Sequence, residues 1–161
     1  MRSREYLALA GRMAVAVLLC ALFLNAVPIA ALPSVDQTNS PASLEKTKSM
    51  AEAQHEIIVL LIQKKEFEKA AVEANKIFEM KWPDDQEPLL IKEMRNLTDQ
   101  FLRSGQASLG LKLIEKNLGR FKKSSSQAAL WKEMGYLHKS MNQIDKSIDC
   151  FKKARDLEGG K

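Results

Sequence analysis

The chain has 161 residues and a formal charge of +5 at pH 7, with 45% hydrophobic, 28% charged and only 6% aromatic residues. That length fits one domain once a targeting segment is subtracted, so a second core is not expected, while the prominence of Lys, Glu, Leu and Ala makes all-α the expected class. The basic excess is spread over helices of mixed charge rather than gathered into one run, which argues against a phosphate-neutralising nucleic-acid surface.

At the N-terminus, Arg2, Arg4 and Arg12 precede an unbroken apolar run from Met13 to Leu24, followed by Asn25, Pro28, small alanines and Pro33. This is the tripartite pattern of an export signal. A dozen apolar residues fall short of the roughly 20 that a comfortable span needs, although Ala26 to Leu32 can extend the run across Asn25 and Pro28. Removal of residues 1–31 by cleavage near Ala31 is therefore expected, with retention as an N-terminal membrane anchor as the alternative. Both outcomes hold the arginines on the cytoplasmic side, so the rest of the chain is expected to be extracytoplasmic: periplasmic, secreted or anchored to the membrane. Without residues 1–31 the chain keeps 22 basic and 19 acidic residues. Cys20 lacks the small-residue surroundings of a lipidation site. Cys150 would be alone in a cleaved product, so no disulfide framework is expected and it reads as a small buried hydrophobe.

Residues 32–40 are rich in turn formers and read as a flexible tether. Ser40 and Pro41 make a good helix start, a hydroxyl at the cap followed by a proline where no donor is lost. From there the apolar periodicity predicts helices over 41–64, 67–81, 86–104, 107–121, 126–141 and 144–158. Lys64 to Glu66, Ser104 to Gln106 and Met141 to Gln143 form turns within pairs, while Trp82 to Asp85 and Lys122 to Ser125 separate one pair from the next. The domain at 41–161 is thus expected to be three antiparallel hairpins, about 41–81, 86–121 and 126–158. The acidic pair Asp84-Asp85 is expected to cap the helix it precedes.

Small residues open the second helix of each pair, and Ala70, Gly110 and Ser147 are spaced by 40 and then 37 residues. Such periods belong to helical repeat arrays. A small side chain there lets two packed helices approach to the usual 8–10 Å.

The last pair, ALWKEMGYLHKSMNQIDKSIDCFKKARDLEG, is similar over its whole length to a tetratricopeptide repeat. Trp131, Met134 and Gly135 stand at the family's Trp, Leu and Gly, Ser147 at its small residue, and Phe151 and Ala154 complete the second helix. His138 departs from the family's aromatic residue, and Gly159 from its proline. In the second pair Gly105, Gly110 and Ile114 fit, whereas Met94, Thr98 and Asn117 replace the usual Trp, Gly and Ala. In the first pair Phe67 and Ala70 fit, and the Trp and Gly of the first helix are missing.

The resemblance implies a right-handed superhelix whose first helices line a concave groove that binds partner proteins. Carried over by register, the groove residues are Glu52, His55, Val59 and Ile62, then Lys92, Arg95, Asp99 and Arg103, then Lys132, Tyr136 and Lys139. The second and third sets are mainly basic, so the expected ligand is a protein segment with acidic groups, its charges meeting Arg95, Arg103, Lys132 and Lys139 while Tyr136 supplies contact area. The clamp by which some family members hold a C-terminal carboxylate is mostly absent: Val59 and Ala129 occupy its positions, Glu133 reverses a charge, and only Asn96 matches. The apolar run Ile57 to Ile62 is expected to lie partly in the core and partly on a capping or binding surface.

No phosphate-binding loop, metal-spaced Cys/His cluster or nucleophile motif occurs in the sequence, so neither an enzyme nor a cofactor or small-molecule substrate is expected. His55 and His138 read as groove or core residues. The functional expectation is a protein-binding scaffold. The alternative is a structural subunit of a membrane complex, held by a retained N-terminal helix.

Overall fold

The computed structural model describes residues 41–160, so the expectations for the export segment at 1–31 and the tether at 32–40 lie outside the described residues. The described chain is all-helical, with six α-helices: α1 (Pro41–Gln63), α2 (Phe67–Glu79), α3 (Glu87–Arg103), α4 (Ala107–Asn117), α5 (Ser124–Ser140) and α6 (Ile144–Glu158). Short 3₁₀ turns occupy Asp84–Gln86 and Leu118–Arg120. Three boundaries differ from the periodicity by two residues or more, one of them the start of α5 at Ser124 rather than 126. The second helix stops at Glu79 because Met80 turns extended, and the fourth stops at Asn117 because its last turn tightens into the 3₁₀ turn. None of the described helices is long and apolar enough to cross a membrane.

The helices pack as three consecutive hairpins, α1 with α2, α3 with α4 and α5 with α6. The hairpins then stack: the second helices α2 and α4 pack together, as do the first helices α3 and α5, and α4 also meets α5. The core runs through the stack, with Ile58, Ala70 and Ile77 in the first hairpin, Met94, Leu97, Phe101 and Ile114 in the second, and Leu130, Leu137 and Ala154 in the third. The apolar run of α1 divides as expected, Ile58 entering the core while Ile57 and Leu60 stay exposed.

The three hairpin turns have one geometry. Lys65, Gly105 and Asn142 are left-handed, with φ of 61°, 73° and 58°. In each turn the next residue's N–H bonds five residues back, from Glu66 to Leu61, Gln106 to Phe101 and Gln143 to His138, at 2.9, 2.7 and 2.9 Å. The left-handed residue itself bonds three back, to Ile62, Leu102 and Lys139. These are Schellman closures, which satisfy the free carbonyls of a helix end. They recur at the same spacings as Ala70, Gly110 and Ser147.

At the crossings, small residues act in two different ways. Ser147 Oγ donates to the Gly135 carbonyl at 2.8 Å, locking α6 onto α5. A Cβ on Gly135 would come within 2.8 Å of the Phe151 ring, whereas one on Gly110 would find Thr98 and Leu137 at 3.5–3.6 Å, ordinary contact. Gly110→Ala should therefore gain helix propensity and raise stability by up to about 1 kcal/mol. Gly135→Ala gains the same propensity but displaces Phe151, and overpacking of about 1–3 kcal/mol outweighs it. Urea denaturation of the two variants should show shifts of opposite sign.

Candidate functional site

The predicted groove residues lie on the first helices of the second and third hairpins, Arg95, Asp99 and Arg103 on α3 and Lys132, Tyr136 and Lys139 on α5. Their spacing of three to four residues keeps each set on one side of its helix. The structure redistributes the charge that the sequence assigns them. Arg103 is neutralised by Asp99 four residues earlier, at 2.8 Å. Lys132 reaches Glu158 near the end of α6 at 2.6 Å. Among the described residues Arg95, Lys92 and Lys139 form no ion pair and are exposed, so they carry the free positive charge of this face. Tyr136 is 55% exposed and sets its ring edge-on against Phe151, with centroids 5.2 Å apart and planes at 75°. Between the two helices, Thr98 Oγ1 donates to Glu133 Oε1 at 3.1 Å, so Glu133 is occupied in joining α3 to α5.

Beside this basic stretch, α1, the end of α2 and the start of α3 enclose an open cavity of about 460 Å³. Its apolar walls are Ala51, Ile77, Trp82, Leu89 and Leu90, and its polar groups are Lys48, Glu52, His55, Glu56, Glu93 and Asn96. Trp82 is held by its own indole N–H, which donates to the Ile77 carbonyl at 2.8 Å. His55 Nδ1 and Glu93 Oε1 are 2.6 Å apart and tie α1 to α3. Lys48, the one lysine at the cavity among the described residues, is paired with Glu45 at 2.9 Å. Glu52 and Glu56 are exposed and have no ion-pair partner among the described residues.

Register placed Glu52 and His55 on this face; it did not find Trp82, Leu89 or Leu90. Trp82 reads in sequence as part of a separator, and only its position before Pro83, which turns the chain between α2 and α3, hints at an inward ring. Asp84 and Asp85 correct a further expectation: neither carboxylate accepts a backbone N–H, and Asp84 instead reaches Lys122 Nζ at 3.3 Å across the two links.

Lys64 and Lys69 hold the Glu66 carboxyl down to about 2 beside the first turn. Lys76, aided by Gln54, lowers that of Glu73. Burial, with Asp149 and Glu115 nearby, pushes the Cys150 thiol up, so it stays protonated as a small core side chain. His138 is buried with Nδ1 2.7 Å from Gln143 Oε1. Comparison with protein-family models, curated proteins and solved structures gives no match to this chain.

Proposed function

We propose that the chain is a non-catalytic, tetratricopeptide-like scaffold, exported across the cytoplasmic membrane, which holds a segment of a partner protein along the face of its first helices. The observation that carries this reading is the composition of that face. It combines the free cations Arg95 and Lys139, the exposed ring of Tyr136 and an open, partly apolar cavity on α1, α3 and α5, with α1 tied to α3 through His55 and Glu93. Exposed charge of this kind contributes little to folding and much to the choice and speed of association.

The repeat reading draws support from the shared turn geometry and from the positions that depart from the family pattern. Asn117, in place of an alanine, donates to Asn75 Oδ1 and to the Leu113 carbonyl, both at 2.9 Å. His138, in place of an aromatic residue, is satisfied by Gln143. Stacked in the right-handed sense of the family, the first helices would form the concave side, with acidic groups of the partner meeting Arg95 and Lys139.

The test is affinity capture from the native host, comparing wild type with Arg95→Glu/Lys139→Glu by mass spectrometry. A partner lost only in the variant is expected, with unfolding free energies equal to within about 0.5 kcal/mol because both side chains are exposed. A set of partners identical for both proteins would refute binding at this face.

A further inference from the structure

We propose that the cavity between α1 and α3 is the specificity pocket of this face, and that it takes a lysine or arginine of the partner segment together with a large aliphatic side chain next to it. This rests on the peptide-binding reading above and adds to it the chemistry of the ligand.

The volume of about 460 Å³ lies within the range of about 300–1,000 Å³ typical of ligand sites and exceeds what one side chain fills. The walls are largely preformed. The Trp82 indole is fixed to the Ile77 carbonyl, Ile77 is fully buried, and Leu90 packs on the core. Leu89 remains 38% exposed and ready to be covered.

Charge then selects the occupant. Glu52 and Glu56 are one helical turn apart on α1, like charges at a spacing that destabilises a helix unless something intervenes. Among the described residues no cation pairs with either. Opposite them, Glu93 is engaged by His55, and the one nearby lysine, Lys48, is engaged by Glu45. A cation from outside is the missing partner. A long basic side chain suits both halves of the site, since its methylenes lie along apolar walls while its head stays at the wet, acidic lip. An aromatic wall adds attraction for the same head group. A carboxylate is repelled there and drawn instead towards Arg95 and Lys139. The ligand is therefore a segment of two characters, basic and apolar over α1 and α3 and acidic over α3 and α5.

The experiment is selection from a displayed random-peptide library on the full chain in mild detergent, followed by titration of the selected peptides into wild type, Glu52→Lys/Glu56→Lys, Leu89→Lys and Arg95→Glu/Lys139→Glu. Selected peptides should carry Lys or Arg adjacent to Leu, Ile or Met. Their dissociation constants should rise by about tenfold or more in the first two variants, while the melting temperature of Glu52→Lys/Glu56→Lys stays that of wild type. Binding should change the tryptophan fluorescence of wild type but not of Trp82→Phe. Peptides that lack the basic and aliphatic pair, or that ignore Glu52→Lys/Glu56→Lys while losing affinity in Arg95→Glu/Lys139→Glu, overturn the pocket and leave the face standing. Full displacement of a selected peptide by an equal concentration of a free polyamine overturns the peptide as occupant. A library that yields no binder overturns both the pocket and the face.

Discussion

Phe121→Ala is expected to lower the unfolding free energy by about 3–5 kcal/mol, the range for removing a buried aromatic ring. The residue lies between helices, just past the 3₁₀ turn that ends α4, yet it is 1% exposed. Its N–H bonds to the Leu118 carbonyl, and its own carbonyl accepts the Gln127 amide at 2.8 Å, so the backbone on both sides holds the ring in place. The ring sits where the second hairpin gives way to the third, and in a stacked array each interface between neighbours is a separate contribution to stability. The loss should therefore be local in its consequences. Hydrogen exchange should accelerate in α5 and α6 more than in α1 and α2. Trp131, the most recognisable residue of the third hairpin in sequence, is only half-buried, so Trp131→Ala should cost less, about 2–3 kcal/mol. Urea denaturation that ranks Trp131 above Phe121 would show that the link is not the stronger joint.

That inversion indicates where the sequence is readable. Helix positions, pairing and the small residues at crossings follow from local period, and the structure returns them within a few residues. Local period is silent about a residue such as Phe121, which ends one apolar series and belongs to no face of the next helix. It is equally silent about Lys65, which takes a left-handed turn conformation that Gly105 and Asn142 adopt more readily. The free charge on the first helices is illegible for another reason. Counting cations along α3 and α5 ignores what they pair with, and Glu158, which neutralises Lys132, is 26 residues away.

Many of these distant pairs nonetheless obey a rule. His55 with Glu93, Thr98 with Glu133, Lys116 with Glu79 and Asn117 with Asn75 are separated by 38, 35, 37 and 42 residues, close to one repeat. Once a period is known, residues about one period apart become candidates for contact between neighbouring hairpins. The acidic cavity is legible in those terms, because Glu52 and Glu56 then face Glu93.

Glu87 belongs to the same class and gives the second large effect: Glu87→Ala should destabilise the fold by about 3 kcal/mol. The side chain is 5% exposed at the start of α3. Its two oxygens accept the backbone N–H groups of Lys122 and Lys123, at 2.8 and 3.2 Å, and the Ser126 hydroxyl also bonds to it. The N-cap residue of α5, Lys123, makes no side-chain cap of its own. A carboxylate 36 residues earlier thus fills that place and brings a negative charge to the positive end of the helix. Burial opposes ionisation of Glu87, but these bonds outweigh it and hold the carboxyl below its ordinary 4.5. A group whose folded pKa is lowered stabilises the fold above its unfolded value and loses that contribution as pH falls through the folded one. The wild type should accordingly lose stability below about pH 4.5 faster than Glu87→Gln, which keeps the shape of the side chain and cannot ionise. Melting temperatures of the two should be well separated at neutral pH and converge in acid. A gap that stays constant down to about pH 3 would mean that shape and neutral hydrogen bonding, not the charge, hold α5 to α3.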